Sequence, residues 1–282
     1  MKAAPTAPRA KRPAEGEIPS LLKWTGGKRS QAARIAALAP PHERYVEPFL
    51  GGGAVLYHLA GDGAVAGDLY APLIGFWKMV QAEPDALVAD YADQWRRLQD
   101  DLPGYFYAVR ARFNLEKRPT DLNFLMRTCV NGIVRFSRQG DFNNSFHLSR
   151  RGMAPGSFAR AVEAWSARIQ GVAFVVLDYR ESLATARAGD FVYLDPPYAG
   201  NRQRYIGGVE EAALFEALDG LNRRDVRWAL SFDGRRGERV YPAKVPSELF
   251  RRRLDLVSGH SAVAKVLNGP VETVSEALYL NY

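Results

Sequence analysis

The chain is poor in the residues that build disulfides and metal sites. Its 282 residues include one cysteine and four histidines, and none of these side chains is spaced from another as metal ligands usually are. A lone cysteine excludes a disulfide framework and favours a reducing compartment. We therefore expect no structural metal and a cytoplasmic location, in a bacterial cytoplasm or nucleoid, with a phage origin also open.

Long apolar runs are also missing. No segment approaches the ~20 apolar residues that span a bilayer, and the start "MKAAPTAPRAKRPAEGEIPS" lacks the apolar stretch of a secretory signal. We expect no membrane association, and a disordered tail over residues 1–18. The chain does carry positive charge, with 38 lysines and arginines against 31 aspartates and glutamates. This balance favours an anionic partner such as nucleic acid.

Short apolar runs end in an acidic residue at five places along the chain. The five acids are Glu47, Asp68, Asp178, Asp195 and Asp233, and helical patterns lie between them. Alternating strands and helices predict a doubly wound α/β fold with a mainly parallel sheet. Because such folds bind ligands at the carboxyl ends of their strands, the acids indicate one shared site.

The alternation is interrupted over residues 84–151. Three helical patterns and a basic, phenylalanine-rich loop follow one another there, which predicts a helical lobe inserted between two parts of a catalytic domain, 19–83 and 152–282. Basic and aromatic side chains together suit phosphate contacts and base stacking. Two later β-like segments predict an antiparallel edge of the sheet, with a hairpin turn at Asn268-Gly269.

The stretch "VEPFLGGGAVLYHL" has the pattern of a strand, a tight glycine loop and a helix. The loop matches neither the dinucleotide fingerprint nor the P-loop. Gly51 and Gly53 let the backbone approach a ligand closely. Asp68 lies about where a carboxylate receives ribose hydroxyls in nucleotide-binding folds. A nucleoside ligand without phosphates fits both features, and S-adenosylmethionine is such a ligand.

A buried strand that ends in Asp195-Pro196-Pro197-Tyr198 resembles the catalytic motif of methyltransferases that act on adenine N6. Further segments resemble motifs of the same enzymes in the same order: "LLKWTGGKRS", "VEPFLGGGAVLYHL", "GDLYAPLIGFWKMV", "CVNGIVRFSRQGDFNNSF" and the closing "SEALYLNY". From residue 21 to 282 the chain is similar to Dam-type DNA adenine methyltransferases of the D12 class, alpha group. The resemblance implies a Rossmann-like, S-adenosylmethionine-dependent methyltransferase sheet with an inserted helical DNA-recognition lobe.

The chemistry of the adenine amine explains why such a motif is needed. The N6 lone pair is delocalised into the ring, so the amine is a poor nucleophile. The Asp195 carboxylate and the Pro196 carbonyl, held in place by the proline rings, would accept the two N6 hydrogens and free the lone pair. Tyr198 would stack on the base, which must leave the duplex to reach this pocket. The predicted catalytic residues are therefore Asp195, Pro196 and Tyr198.

The resemblance also implies binding residues. The expected contacts of S-adenosylmethionine are Trp24, Lys28, Glu47, Phe49, Gly51, Gly53, Asp68, Asp178, Tyr179 and Asp195. Among these, Lys28 is expected to bind the methionine carboxylate, Asp68 the ribose, and Asp178 and Tyr179 the adenine. The expected DNA-facing residues are Arg127, Asn131, Arg135 and Asn143. The roles of Ser231 and Asp233 stay open.

The resulting prediction is a site-specific methyltransferase that acts on N6 of a flipped adenine in double-stranded DNA. We expect a monomer or weak dimer, which acts alone or within a restriction–modification system. One alternative is methylation of cytosine N4, although those enzymes usually carry Ser-Pro-Pro-Tyr at this position. RNA adenine and protein glutamine methyltransferases more often carry Asn-Pro-Pro-Tyr. An alternative from another class is a regulator that binds the cofactor and DNA without turnover.

Overall fold

The structure, a computed structural model, describes most of the chain. The described residues are 18–24, 26–137, 139–149, 151–197, 209–236, 239–241, 245–260 and 273–282, and positions 233–236, 239–241, 257–260 and 273–275 are described by their backbone only. Three predicted features lie outside them: Tyr198, the tail over residues 1–17 and the Asn268-Gly269 turn. Ile18, predicted as the last residue of the tail, is instead buried in the core.

Within the described residues, a sheet of eight strands forms the centre of the protein. Its strands are β1 (Arg44–Glu47), β2 (Val65–Asp68), β3 (Ala173–Val176), β4 (Asp190–Leu194), β5 (Arg227–Arg236), β6 (Arg239–Tyr241), β7 (Arg252–His260) and β8 (Thr273–Leu280). Their order across the sheet is β3-β2-β1-β4-β5-β8-β7, and β6 pairs with β5. The pairs among β1 to β5 are parallel, whereas those with β6, β7 or β8 are antiparallel. The predicted Rossmann-like sheet with an antiparallel edge is confirmed.

Helices connect the parallel strands and form the inserted lobe. They are α1 (Ala32–Ala37), α2 (Ala54–Leu59), α3 (Ala71–Ala82), α4 (Pro84–Asp100), α5 (Gly104–Glu116), α6 (Pro119–Thr128), α7 (Pro155–Arg168), α8 (Tyr179–Ala184) and α9 (Glu211–Arg223), with a 3₁₀ turn over Val130–Gly132. Proline stands in the first turn of α3, α4, α6 and α7, where its missing N–H costs no helical hydrogen bond. Within the described ranges, no helix is long and apolar enough to cross a membrane.

The side chains of β4 alternate between two hydrophobic cores. Phe191 and Tyr193 belong to the core that also contains α3 and α7, and Val192 and Leu194 belong to the core that contains α8 and α9. Because both faces of the strand are covered, every position can be apolar. The unbroken apolar run before Asp195 therefore reflects a doubly wound sheet.

The helices α4, α5 and α6 form the predicted lobe. Their buried side chains, such as Leu98, Phe106 and Phe124, join the same core as Trp77 of α3 and Trp165 of α7. The lobe is therefore packed directly onto one face of the sheet domain, and the aromatic residues of its sequence build this packing.

The third strand ends earlier than the sequence predicted. β3 ends at Val176, and Asp178 is the N-cap residue of α8. The Asp178 side chain accepts a hydrogen bond from the Arg180 backbone N–H at 3.0 Å, and the Glu181 carboxylate accepts one from the Asp178 backbone N–H at 3.0 Å. This capping box starts the helix and makes Asp178 a cap rather than a strand end.

The fifth strand is longer than predicted. β5 continues through Asp233 to Arg236 because β8 pairs with it along this extension. The pairing register shifts between Ser231 and Gly234, where β5 carries one more residue than β8. Asp233 therefore lies at a β-bulge inside a strand and does not end one.

Candidate functional site

One cavity lies at the carboxyl ends of the parallel strands. β1 lies between β2 and β4 in the sheet, so the residues that end these three strands meet at one edge, where open α/β sheets bind ligands. The cavity is lined by all ten residues for which the sequence predicted a cofactor contact: Trp24, Lys28, Glu47, Phe49, Gly51, Gly53, Asp68, Asp178, Tyr179 and Asp195. The structure thus brings these residues together, and the ligand they bind stays a prediction.

The glycine loop after β1 is shaped by a tryptophan. Gly51 and Gly53 have φ angles of +49° and +64°, which glycine adopts without strain. A Cβ atom on Gly51 would lie 2.8 Å from Cδ1 of Trp24. The Gly51 carbonyl accepts a hydrogen bond from the indole N–H of Trp77 at 3.1 Å. The sequence interpretation assigned these glycines to a ligand, and the structure shows that Gly51 also makes room for Trp24.

Asp68 connects the end of β2 to the glycine loop. Its Oδ2 atom accepts a hydrogen bond from the Gly51 backbone N–H at 3.2 Å, and its Oδ1 atom accepts one from the Tyr70 N–H at 3.0 Å. Burial raises the pKa of Asp68 to about 6, and the backbone N–H groups oppose this shift. The backbone thus fixes a carboxylate at the wall of the cavity.

Two stacked aromatic rings form another part of the wall. The rings of Phe49 and Tyr179 lie 5.2 Å apart with an interplanar angle of 27°, and such surfaces accept a further flat ring. The neighbouring Asp178 carboxylate accepts a hydrogen bond from Nε of Arg180 at 2.8 Å, and this contact lowers the pKa of Asp178. Asp178 is therefore already engaged by its own helix.

Asp195 follows β4 directly and forms an ion pair with Lys28. Its Oδ1 atom lies 2.7 Å from Nζ of Lys28, and the two side chains are only 19% and 5% exposed. Burial raises the pKa of Asp195 to about 6, against the opposing effect of the Lys28 ammonium. Pro196 and Pro197 border the same cavity. Lys28, predicted to bind a cofactor carboxylate, thus has a carboxylate partner within the protein.

Glu47 is a fourth acid of the cavity, and it is almost fully enclosed. Its side chain accepts a hydrogen bond from the Tyr45 hydroxyl at 2.8 Å and is 3% exposed. Burial raises the pKa of Glu47 to about 8, although the Tyr45 hydroxyl opposes the shift. At neutral pH this carboxyl is therefore mostly protonated unless a cation joins it.

Several aromatic residues of the cavity were missed by the sequence interpretation. Tyr70 and Phe136 contact each other edge to face, with ring centroids 5.4 Å apart, and Phe136 brings the lobe to the cavity. Tyr193 lines the cavity from β4, and its hydroxyl lies 2.8 Å from the hydroxyl of Ser231. This contact gives Ser231 a structural role beneath the site. Because side chains alternate between the two faces of β4, the sequence carried a signal for the face on which Tyr193 lies.

Glu276 was missed as well, and the sequence carried no local signal for it. Its Oε2 atom lies 3.5 Å from Nζ of Lys28. Glu276 belongs to β8, at the other end of the chain, so only the pairing of distant strands brings it to Lys28.

Arg127 does not face solvent or DNA in this structure, contrary to the prediction. It is 6% exposed, and its guanidinium donates to the backbone carbonyls of Ser20, at 2.8 Å, and Leu21. The guanidinium also lies 5.0 Å above the ring centroid of Phe158. Burial lowers the pKa of Arg127 to about 10. The residue attaches the segment before Trp24 to the lobe, so its role is structural.

The other three predicted DNA-facing residues lie on one surface loop of the lobe. Arg135 is exposed, and its guanidinium donates to the Asn143 side chain at 2.8 Å and to its backbone carbonyl at 3.0 Å. Asn131 is exposed in the 3₁₀ turn with a φ of +58°, and Gly132 follows with +63°. Two successive left-handed residues explain the Asn-Gly pair. Contact with DNA stays a prediction for Asn131, Arg135 and Asn143.

The sheet order, the glycine loop and the acid-lined cavity define a Rossmann-like methyltransferase fold. The chain belongs to the family of D12 class N6 adenine-specific DNA methyltransferases, whose family model matches residues 24–215. This range is more than half of the chain and contains every residue predicted for the site.

Named relatives agree with the family. The chain is 30% identical to a DNA adenine methylase of Serratia marcescens over 188 residues, which cover 64% of this chain and 67% of the relative. It is 31% identical to a DNA N-6-adenine-methyltransferase of Escherichia phage P1 over 198 residues, 68% of this chain but only 26% of the phage protein. It is 29% identical to the type II methyltransferase M.MjaIII of Methanocaldococcus jannaschii over 204 residues, 64% of this chain and 70% of the relative.

Proposed function

We propose that this protein transfers a methyl group from S-adenosylmethionine to N6 of an adenine that is flipped out of duplex DNA. The observation that carries the proposal is one cavity that joins the glycine loop and Asp68 to Asp195 and Pro196. Family membership supports adenine N6 over cytosine N4 as the target. The three relatives named above are adenine-specific or restriction-type methyltransferases by their descriptions.

The residues of the cavity fit the parts of S-adenosylmethionine. Asp68 is a carboxylate held in place by backbone N–H groups. A fixed carboxylate of this kind suits hydrogen bonds from ribose hydroxyls. The stacked pair of Phe49 and Tyr179 suits an adenine ring. Glu47 is a buried acid that would ionise beside the cationic amino group of the methionine portion. When bound, the cofactor supplies a methyl group on a positively charged sulfur.

Asp195 and Pro196 then act on the substrate amine. The Asp195 carboxylate and the Pro196 carbonyl would accept the two N6 hydrogens, which frees the nitrogen lone pair for attack on the methyl carbon. As the nitrogen–carbon bond forms, the carbon–sulfur bond breaks and its electron pair stays on the departing sulfur, and the methylated N6 then releases one proton to solvent. Negative charge beside the amine also stabilises the positive charge that develops on nitrogen. Because only the ionised carboxylate supplies this negative charge, the proposed turnover requires Asp195 to be deprotonated.

The loop that carries Asn131, Arg135 and Asn143 is the proposed DNA-contacting element. α5 fixes this loop, because Arg110 donates to the Asn144 carbonyl at 3.1 Å and Asn114 donates to the Phe142 carbonyl at 3.1 Å. A fixed loop with an exposed guanidinium can contact phosphates or a guanine edge. Phe136, on the same loop, reaches the cavity, so the loop joins DNA binding to the site.

The substitution Arg135→Ala tests this loop. We expect DNA affinity to fall about tenfold at moderate salt and the salt slope to decrease by about one, since one phosphate or base contact is lost. Fluorescence anisotropy with labelled duplexes at several salt concentrations measures both quantities. Arg223→Ala removes an exposed charge from α9 and is the control. An Arg135→Ala variant that binds DNA like the control would remove Arg135 from the interface.

The activity itself is tested by incubation with methyl-labelled S-adenosylmethionine and duplex DNA, followed by digestion to nucleosides. Label in N6-methyladenine is the expected result. Label in N4-methylcytosine would refute the proposed target. Tight binding of cofactor and DNA without label in any nucleoside would support the non-catalytic regulator instead.

A further inference from the structure

Two carboxylates share the ammonium of Lys28. Nζ lies 2.7 Å from Oδ1 of Asp195 and 3.5 Å from Oε2 of Glu276, and Nζ also donates to the Gly26 carbonyl at 3.3 Å. The three charged side chains are little exposed: 5% for Lys28, 19% for Asp195 and 17% for Glu276. They therefore form one partly enclosed charge cluster with two acids and one base.

The strand register brings Glu276 to this cluster. β4, which leads to Asp195, pairs with β5, and β5 pairs with β8, where Gly234 stands opposite Glu276. The extra residue of β5 between Ser231 and Gly234 forms a β-bulge immediately before this pair. Bulges re-aim the side chains that follow them and are frequent beside active sites. The bulge thus sets Gly234, rather than Asp233, opposite Glu276.

The two acids that contact Lys28 border different cavities. Asp195 borders the cavity described above, and Glu276 borders a second cavity that also contains Asn131 of the lobe loop. Lys28 borders both cavities. An ammonium at this boundary can lean toward either carboxylate with little movement.

We propose that Glu276 is a positioning residue that holds the Lys28 ammonium while Asp195 binds the amine of the substrate. The inference rests on the methyl transfer proposed above. In the free protein, a strong charge-assisted hydrogen bond from Lys28 occupies an oxygen of Asp195. When the carboxylate also accepts a hydrogen from adenine N6, its charge is shared between two donors, and its bond to Lys28 weakens. An ammonium so little exposed needs another counter-charge at that moment, and Glu276 supplies it.

The first test is the titration of Asp195 in the free protein. Protein labelled with ¹³C at the aspartate carboxyl carbon gives the midpoint by NMR, and the Asp195 resonance is assigned with the variant Asp195→Asn. In Glu276→Gln we expect a lower midpoint than in the wild type, because a neighbouring negative charge is gone. Glu248→Gln removes an exposed acid and should leave the midpoint unchanged.

Other groups around Asp195 do not affect the comparison of its midpoint between Glu276→Gln and the wild type. Glu47 and Tyr45 of β1 and Tyr193 of β4 also act electrostatically within the cluster. They are the same in all variants, so the difference between Glu276→Gln and the wild type reports on Glu276. An unchanged midpoint would overturn the inference, whether or not the protein methylates DNA.

The second test is kinetic. In Glu276→Gln we expect kcat to fall about tenfold, which corresponds to ~1.4 kcal/mol, because Lys28 then loses the second carboxylate that the described residues place beside it. The dissociation constant of S-adenosylmethionine should stay within about threefold of the wild-type value. The acidic limb of the pH–kcat/KM profile, which reports groups of the free enzyme, should move to lower pH together with the Asp195 midpoint. A kcat equal to that of Glu248→Gln would overturn the inference, while a wild type without activity would refute only the proposed function.

Two further variants separate positioning from folding. Glu276→Asp keeps the charge and should retain the midpoint and most of kcat, which a purely steric role would not explain. In a Lys28→Gln background, Glu276→Gln should lower kcat by less than about twofold, since its action passes through Lys28. If Glu276→Gln still lowered kcat about tenfold in the Lys28→Gln background, the proposed action of Glu276 through Lys28 would be overturned. Thermal unfolding of each variant shows that the fold is intact.

Discussion

Asp68 and Asp195 are two acids of one cavity that are held by different means. Burial raises the pKa of each to about 6. Asp68 accepts hydrogen bonds from backbone N–H groups of Gly51 and Tyr70, which are close to it in the sequence. Asp195 is held by the side chain of Lys28, 167 positions away. A carboxylate fixed by the backbone keeps its place, whereas one fixed by an ammonium can exchange its partner for a substrate.

Replacing each acid by its amide should separate the two roles, and the larger effect is expected at Asp195. Asp195→Asn should lower kcat about a thousandfold, because the amide does not supply the negative charge that the amine needs. The dissociation constant of S-adenosylmethionine, measured by calorimetry, should change little. Equal loss of binding and turnover would show that Asp195 is a structural residue like Arg127.

Asp68→Asn should show the opposite pattern. We expect the dissociation constant of S-adenosylmethionine to rise about tenfold to a hundredfold, the usual worth of a hydrogen bond to a charged group. The kcat at saturating cofactor should change much less. If Asp68→Asn instead lowered kcat as strongly as Asp195→Asn does, the distinction between a binding acid and a reacting acid would fail.

The packing of the glycine loop against Trp24, next to Asp68, can be tested at Gly51. Gly51→Ala should lower the free energy of unfolding by more than about 1–2 kcal/mol, the cost of a left-handed alanine, because its Cβ would also lie 2.8 Å from Trp24. Gly63→Ala is the matched control, since Gly63 has a φ of +78° and no atom near its added Cβ. Denaturant unfolding measures both. Equal losses of unfolding free energy in the two variants would mean that Trp24 moves away from the added Cβ without destabilising the fold.

Glu47 is an acid of the same cavity whose side chain, among the described residues, is held by the Tyr45 hydroxyl. Its pKa of about 8 in the fold lies above its ordinary value near 4.5, so the folded protein binds more protons than the unfolded chain between these values. Stability must then decrease as pH rises through this window. Relative to Glu47→Gln, the wild type should lose at least about 1 kcal/mol of unfolding free energy between pH 5 and 8.

Thermal and denaturant unfolding at both pH values check the Glu47 prediction. The variant Glu248→Gln, which lacks an exposed acid, should follow the wild type at each pH. A wild type that gains stability over Glu47→Gln as pH rises would show that a cation in the fold keeps Glu47 ionised.

The parts of the site that the sequence predicted are those built by neighbouring residues. The strand, glycine loop and helix around Gly51 and the second strand that ends at Asp68 form one continuous segment, whose pattern contains the periodicities of both elements. The start of α8 was also present in the sequence, since Asp178 and Glu181 have the spacing of a capping box. It was not recognised, and Asp178 was placed at a strand end instead.

Arg127 and Glu276 have interaction partners that the local sequence pattern did not predict. A guanidinium in a basic, aromatic segment suggested DNA contact, but the carbonyl partners of Arg127 come from residues 20 and 21, over a hundred positions earlier. Glu276 reaches Lys28 only because β8 pairs with β5 across a bulge. Such partners depend on which segments meet in the fold, and their own sequences do not encode them.

The sequence by itself determined the order of strands, loops and acids, because hydrophobic period and turn chemistry act over a few residues. With that order, the parallel sheet had to collect Glu47, Asp68 and Asp195 at one edge. Only the tertiary structure decided which charges became partners. An ion pair depends on distances of a few ångströms between remote segments, and these are set by strand register and side-chain packing.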